Sequence, residues 1–83
     1  MFYKMYSESL DGDEGEFFCE VVDGLVVKQL HIYGENMYWA TENSCNDPLY
    51  DFTDQPEFDP ELIDCEEISS SEFLSMWNEA LRG

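Results

Sequence analysis

Basic residues are nearly absent from this sequence. Lys4, Lys28 and Arg82 stand against 20 Asp and Glu residues, and the formal net charge over 83 residues is −17. Proteins hold DNA and RNA largely through Lys and Arg contacts with phosphates, so this charge excludes nucleic acid as a direct partner. Anionic membrane surfaces are excluded for the same reason. Basic proteins and cations remain as partners.

Cysteines and long apolar runs are also scarce. Cys19, Cys45 and Cys65 are odd in number and lie far apart in the chain. Because no signal peptide is apparent either, we expect reduced thiols in a cytoplasmic protein. No window approaches 18 apolar residues, so no membrane-spanning segment is expected. The chain is nevertheless 43% hydrophobic and 16% aromatic, too apolar for a disordered acidic tail, which predicts a single folded domain over residues 1–83.

Motifs for metals and catalysis are missing. An EF-hand loop needs Asp at its first position, Gly at its sixth and Glu at its twelfth, and loops centred on Gly12 or Gly15 have neither acid in place. One His and three isolated Cys do not make a zinc pattern. His31 lies within an apolar run and fits a partly buried structural residue better than a catalytic base. We therefore predict a protein that is not an enzyme and has no cofactor or dedicated metal site.

The first half of the chain, residues 1–42, has the pattern of an antiparallel β-meander. Its β-prone runs are FYKMY, FFCEVV, LVVKQLHIY and MYWATE. Asp23-Gly24 separates the second run from the third and suits a tight hairpin turn that needs positive φ. The GEN sequence at residues 34–36 predicts another turn.

The third run has two unequal faces. Strand alternation places Val26, Leu30 and Ile32 on one face together with Lys28. The opposite face is semi-polar and rich in rings, and it fits either a binding face or a merely hydrated one. Its residues are Val27, Gln29, His31 and Tyr33.

The end of the chain, residues 68–82, is predicted to be an amphipathic helix. Ser69 and Glu72 have capping-box spacing, and Ile68 with Phe73 fits a hydrophobic staple. Apolar residues recur every three or four positions, namely Phe73, Met76, Trp77, Ala80 and Leu81. The predicted fold is therefore α+β, with a three- or four-stranded antiparallel meander and one C-terminal helix packed on one face.

Between these parts lies an acidic segment, residues 43–67, punctuated by three prolines and devoid of Lys, Arg and His. Its rings alternate with its acids, so the rings could pack on the core and hold the charges in place. In an extended chain a two-residue step is about 6.6 Å, broadly comparable with phosphate spacing along a nucleic-acid strand. We predict that the partner-binding residues here are Asp47, Asp51, Asp54, Glu57, Asp59 and Glu61. A second acidic patch is predicted at Asp11, Asp13, Glu14 and Glu16.

The C-terminal third, DQPEFDPELIDCEEISSSEFLSMWNEA, resembles the tail of a family of small acidic bacterial domains of unknown function. Their tails read approximately D-P-x-F-x-P-E…I-S/T-x-x-E-F-x-x-x-W. The matching residues are Pro56, Phe58, Pro60, Glu61, Ile68, Ser69, Glu72, Phe73 and Trp77. This chain departs from the pattern by the extra residues LIDCE and by lacking a basic residue and short helix before the motif. The resemblance implies a non-enzymatic binding protein related to toxin-immunity domains.

Charge and resemblance together predict a binding or inhibitor protein that occludes a basic surface of a partner protein. An immunity protein for a toxin and an anti-defence inhibitor that mimics nucleic acid are two concrete forms of this hypothesis. The alternative is a passive folded domain whose charge serves only solubility or weak cation binding.

Overall fold

The computed structural model describes residues 1–82, and Gly83 lies outside the described residues. Five strands and one helix follow in chain order, with a short 3-10 helix between the fourth and fifth strands. They are β1 (Phe2–Glu8), β2 (Glu14–Val22), β3 (Leu25–Tyr33), β4 (Asn36–Thr41), the 3-10 helix (Pro48–Tyr50), β5 (Glu66–Ile68) and α1 (Ser70–Arg82). The α+β class and the meander with a helix on one face are confirmed.

The hairpins form where the turn residues predict them. Asp23 has a φ of 53° and Gly24 a φ of 77°, the pair of positive angles that a two-residue type I′ turn requires. The turn between β3 and β4 uses Gly34 at a φ of 65° and Glu35. These turns align β2 with β3 and β3 with β4 in antiparallel register.

The sheet has a fifth strand beyond the predicted three or four. Strand order is β4-β3-β2-β1-β5, and β5 pairs antiparallel with β1 so that Ile68 lies opposite Phe2. Three residues, two of them Glu, carry no recognisable strand pattern, so only the return of the chain to the edge of β1 creates this strand. As a result, Glu66 and Glu67 leave the predicted acidic segment, which in the structure runs over residues 43–65. We call these residues the acidic connection.

Helix α1 begins two residues later than predicted because Ile68 belongs to β5 and Ser69 is the N-cap. The Ser69 hydroxyl accepts a hydrogen bond from the Glu72 amide at 3.1 Å, as the capping motif predicts. Ile68 and Phe73 are buried in the same apolar cluster, as a hydrophobic staple requires.

One face of the sheet, the helix face, is covered by α1. The apolar stripe of the helix buries Phe73, Trp77 and Ala80, whereas Leu81 from the predicted stripe stays 49% exposed. The sheet and β5 contribute Phe18, Leu30 and Ile68 to this cluster. Phe73 is fully buried at its centre.

The opposite face, the connection face, carries a second apolar cluster. Adjacent residues of a strand point to opposite faces, so Cys19 leaves the helix face that Phe18 occupies. Cys19 packs with Tyr3, Val21 and Val26, and Phe58 of the acidic connection closes the cluster.

The prediction that Val26 shares a face with Leu30 and Ile32 is wrong. The β2–β3 register pairs Glu20 with Lys28 but Val21 with Val26, which leaves Val27 as an extra residue in β3. Such a bulge breaks the alternation of faces, so Val26 turns into the cluster of the connection face.

Candidate functional site

The acidic connection is attached to the sheet by its aromatic side chains. The Phe58 ring lies 5.1 Å from the Tyr3 ring and is only 9% exposed, and Phe52 packs against the same cluster. Asp54 and Glu57, the acids between these two rings in the chain, are exposed, and so is Asp51 just before Phe52. Rings therefore anchor the segment while its carboxylates stay hydrated.

Backbone hydrogen bonds join the connection to the start of β3. The Phe58 amide donates to the Gly24 carbonyl at 2.9 Å, and the Val26 amide donates to the Pro56 carbonyl at 2.8 Å. Between them, Glu57 forms an antiparallel bridge with Leu25. Residues 56–58 thus lie along the β2–β3 turn as a short strand-like piece.

Gln29 holds the middle of the connection. Its side chain is 2% exposed; Nε2 donates to the Asp51 carbonyl and Oε1 accepts from the Thr53 amide, each at 2.9 Å. The buried Gln29 amide thus gives the backbone of the connection the hydrogen-bond donor and acceptor that a neighbouring strand would otherwise give it. The sequence places Gln29 on the semi-polar face of the third run but does not predict this contact, because it does not show which segment lies over that face.

The start of the connection is held at the outer edge of β4. The Asn46 side chain accepts a hydrogen bond from the Trp39 amide and donates one to the Met37 carbonyl, each at 2.9 Å. Asp47 then begins the 3-10 helix, because its Oδ1 accepts from the Leu49 amide at 3.0 Å. This predicted partner-binding carboxylate therefore has a capping contact of its own.

Tyr50 ties the connection to the β1–β2 loop through a cluster of rings. It stacks on Tyr38 with centroids 4.2 Å apart and lies 5.3 Å from the His31 ring. The Tyr50 hydroxyl accepts a hydrogen bond from the Leu10 amide at 3.2 Å. Because the connection covers this ring-rich face, His31 and Tyr33 are packing residues and not an open binding surface.

His31 is enclosed by rings. The Phe17 ring lies at 4.8 Å and the Tyr33 ring at 5.9 Å, and Nδ1 is buried with no hydrogen-bond partner among the described residues. Burial lowers the pKa of His31 below its ordinary value, which keeps the ring neutral at neutral pH.

The ten predicted acids do not form one patch. Asp11, Asp13 and Asp47 lie at the end of the sheet where the β1–β2 loop meets the 3-10 helix. The pKa of the Tyr38 hydroxyl is raised mainly by burial, then by the neighbouring Tyr50, and then by these three carboxylates. Glu57 lies instead beside Leu25, at the β2–β3 turn. The nine residues of β2 between these ends span about 26 Å.

The remaining predicted acids fill different places. Asp51, Asp54, Asp59 and Glu61 are exposed along the connection, and the Asp59 carboxylate accepts from the Glu61 amide at 3.0 Å. Glu14 and Glu16 lie in β2. Glu14 lies opposite Glu8 in the β1–β2 register. The Glu16 carboxylate lies 4.0 Å from the Lys4 ammonium and is partly neutralised.

Both lysines lie on the helix face of the sheet and form ion pairs there. Lys4 lies 3.8 Å from the Glu66 carboxylate in addition to Glu16. Lys28 lies 3.8 Å from the Glu20 carboxylate and 5.4 Å from the centroid of the Trp77 ring. Such partly exposed pairs contribute little stability. Lys4 also lines a cavity with Asp64 and Cys65 at the end of the acidic connection. Within residues 1–82, however, neither lysine forms an ion pair with an acid of residues 43–61, so this part of the connection keeps its charge.

The thiols fit structural roles. All three cysteines are free, and burial raises the pKa of Cys19 to about 12, so this thiol stays protonated. Across residues 1–82, no three His, Cys, Asp or Glu side chains are grouped as ligands for a metal ion. Within the same range, no helix combines the length and apolarity needed to cross a bilayer.

Comparison with models of protein families, with curated proteins and with solved structures finds no match to this chain. The resemblance of residues 54–80 to small acidic bacterial domains therefore stays a prediction.

Proposed function

We propose that this protein is a non-enzymatic binding or inhibitor protein that uses its acidic connection to occlude a basic surface of a partner protein. The observation that carries the proposal is the separation of charge: both lysines pair with acids of the helix face or β5, while the connection has no base of its own. A partner's cationic surface would meet an uncompensated field on this side.

The attachment of the connection supports the proposal. Gln29, Phe58 and the backbone bonds at Pro56 and Phe58 hold the segment against the sheet. Charges on a held segment meet a partner in a defined arrangement, so less conformational entropy is lost on binding than for a free acidic tail. Free thiols are consistent with a cytoplasmic setting.

Two kinds of partner fit this proposal. A toxin with a basic active surface would make the protein an immunity protein, and a nucleic-acid-binding enzyme would make it an anti-defence inhibitor and a DNA mimic. In both, the carboxylates would take the place of the phosphates or substrate that the basic surface normally attracts.

The test is capture of a partner from lysate of the native host, followed by affinity measurements on the identified protein. The test variant is Asp54→Asn with Glu57→Gln, and the matched control is Glu35→Gln with Glu79→Gln, which removes equal charge from the β3–β4 turn and α1. We expect the test variant to weaken binding about tenfold and the control to change it little. Affinity should also fall steeply between about 50 and 150 mM salt.

Equal behaviour of the two variants would remove the connection as the binding surface. Binding that is insensitive to salt and to all four substitutions would contradict occlusion by charge. A failure to retain any basic protein at low salt would favour the alternative, a passive domain whose charge serves solubility or weak cation binding.

A further inference from the structure

An apolar groove opens between the start of β3 and the acidic connection. Its volume is about 380 Å³, and its walls include Leu25 and Val27 on one side and Phe52 and Pro56 on the other. Leu25 is 44% exposed and Val27 is 38% exposed. These side chains could have been polar without loss to either core cluster, since neither belongs to one.

The groove depends on the bulge in β3. Val27 has no residue opposite it in β2, and the break in alternation leaves Val26 in the core while Val27 stays at the surface beside the connection. Bulges commonly redirect side chains next to binding sites. The opposite wall is fixed by the Val26–Pro56 backbone bond, so both walls have defined positions.

The rim of the groove is anionic. Glu42 lines it directly, and the exposed residues Asp54 and Glu57 follow the wall residues Thr53 and Pro56 in the chain. Glu57 itself lines the adjoining cavity, with Gly24 and Phe58. Lys28 is occupied elsewhere, by Glu20 and the Trp77 ring. An apolar groove with such a rim repels nucleic acid, anionic lipid and acidic peptides, and it attracts apolar groups that carry positive charge nearby.

We propose that this groove receives one apolar side chain from a basic segment of the partner protein, while Lys or Arg residues on either side of that side chain meet Glu42, Asp54 and Glu57. This inference rests on the proposed function and specifies the chemistry of the partner. Charge supplies attraction that salt screens, whereas the buried anchor supplies affinity that salt does not screen. The anchor would thereby distinguish the partner from other basic proteins.

The test uses two labelled synthetic peptides of Lys, Gly and Ser that differ only in a central Leu or Ser, titrated with the full chain at about 50 and 300 mM salt. We expect the leucine peptide to bind about tenfold more tightly than the serine peptide at both salt concentrations. The ratio should approach one in a Leu25→Ser, Val27→Thr variant. It should persist in Val22→Thr, a control at an apolar residue that is also exposed but does not line the groove.

The outcomes separate the two proposals. Equal binding of both peptides, with strong salt dependence, would overturn the groove and leave occlusion by charge standing. A leucine preference that survives while Asp54→Asn with Glu57→Gln changes neither peptide would support the groove and contradict the role of charge. Failure of the leucine peptide to bind at either salt would overturn the groove. Dispersed amide spectra of each variant verify that it is folded, and shifts at Val27 and Thr53 locate the peptide.

Discussion

The two faces of the sheet are covered by different kinds of structure. On the helix face, α1 satisfies its own backbone hydrogen bonds, so the sheet needs to offer only apolar side chains to Phe73 and Trp77. On the connection face an irregular segment lies over the strands. Its backbone groups need partners, and Gln29, Gly24 and Val26 supply some of them.

Because of this difference, the two covering segments should differ in local stability. Helix α1 contributes Phe73, Trp77 and Ala80 to its cluster as buried residues, whereas the connection contributes only Phe58 to the other cluster. The connection is therefore attached by fewer buried side chains than the helix is. Local stability follows buried apolar contact, so we expect the connection to open more readily than the helix. Four substitutions, taken from the largest expected effect to the smallest, test this comparison.

Phe73→Ala should have the largest effect. Phe73 is fully buried at the centre of the helix-face cluster, and its loss should lower the free energy of unfolding by about 3–5 kcal/mol. This is a large part of the total stability of a small domain. Urea denaturation followed by fluorescence of Trp77, which stacks on Phe73, measures it. A loss below about 1 kcal/mol would show that α1 does not depend on this contact.

Phe58→Ala should have a smaller effect, about 2–3 kcal/mol, because the ring lies near the surface and its site can partly close. We also expect faster amide exchange in residues 54–59 and little change in α1. Hydrogen exchange read residue by residue provides the measurement. If Phe58→Ala cost as much as Phe73→Ala, the two faces would be equally important for stability.

Gln29→Leu should cost about 1–2 kcal/mol, since it removes both bonds to the connection and leaves the Thr53 amide without its partner. Loss of exchange protection at Thr53 is the specific readout. Gln55→Leu, at an exposed position in the same segment, is the matched control. Unchanged protection at Thr53 would mean that the ring contacts alone hold the segment.

His31 should produce the smallest effect, visible only in its pH dependence. Burial lowers the pKa of His31 in the folded state, so below its ordinary value of about 6.5 the unfolded chain binds more protons than the folded chain. Stability relative to His31→Phe should be constant above about pH 7.5 and decrease as pH falls through 6.5. Chemical denaturation of both proteins at matched pH measures this difference. The titration of the carboxylates cancels, because both proteins carry the same carboxylates. A constant difference down to pH 5 would contradict burial of this ring.

Features that depend on neighbouring residues could be predicted from the sequence. Asp23-Gly24 forms its turn because these two residue types tolerate positive φ, and Ser69 caps α1 because its side chain reaches an amide three residues on. Features that depend on distant partners could not. The strand at Glu66–Ile68 forms only because the edge of β1 is available for pairing. Gln29 binds the connection only because residues 51–53 lie over it.

The candidate site divides in the same way. The sequence shows the run of acids in residues 43–65 and the absence of Lys, Arg and His there. It does not show the division of the site into carboxylates near Tyr38 and carboxylates near the β2–β3 turn. Nor does it show the groove at Val27, since a bulge depends on the register of two strands and leaves no local pattern.

By itself, the sequence determined the sign and size of the charge, the hairpin turns and the amphipathic helix, because composition and short-range spacing act within a few residues of chain. The tertiary structure decided that the lysines pair with Glu20 and Glu66 and not with acids of residues 43–61, that rings and Gln29 hold the connection on the face opposite the helix, and that an apolar groove lies beside it. These outcomes follow from strand pairing between residues far apart in the chain, which local preferences do not specify.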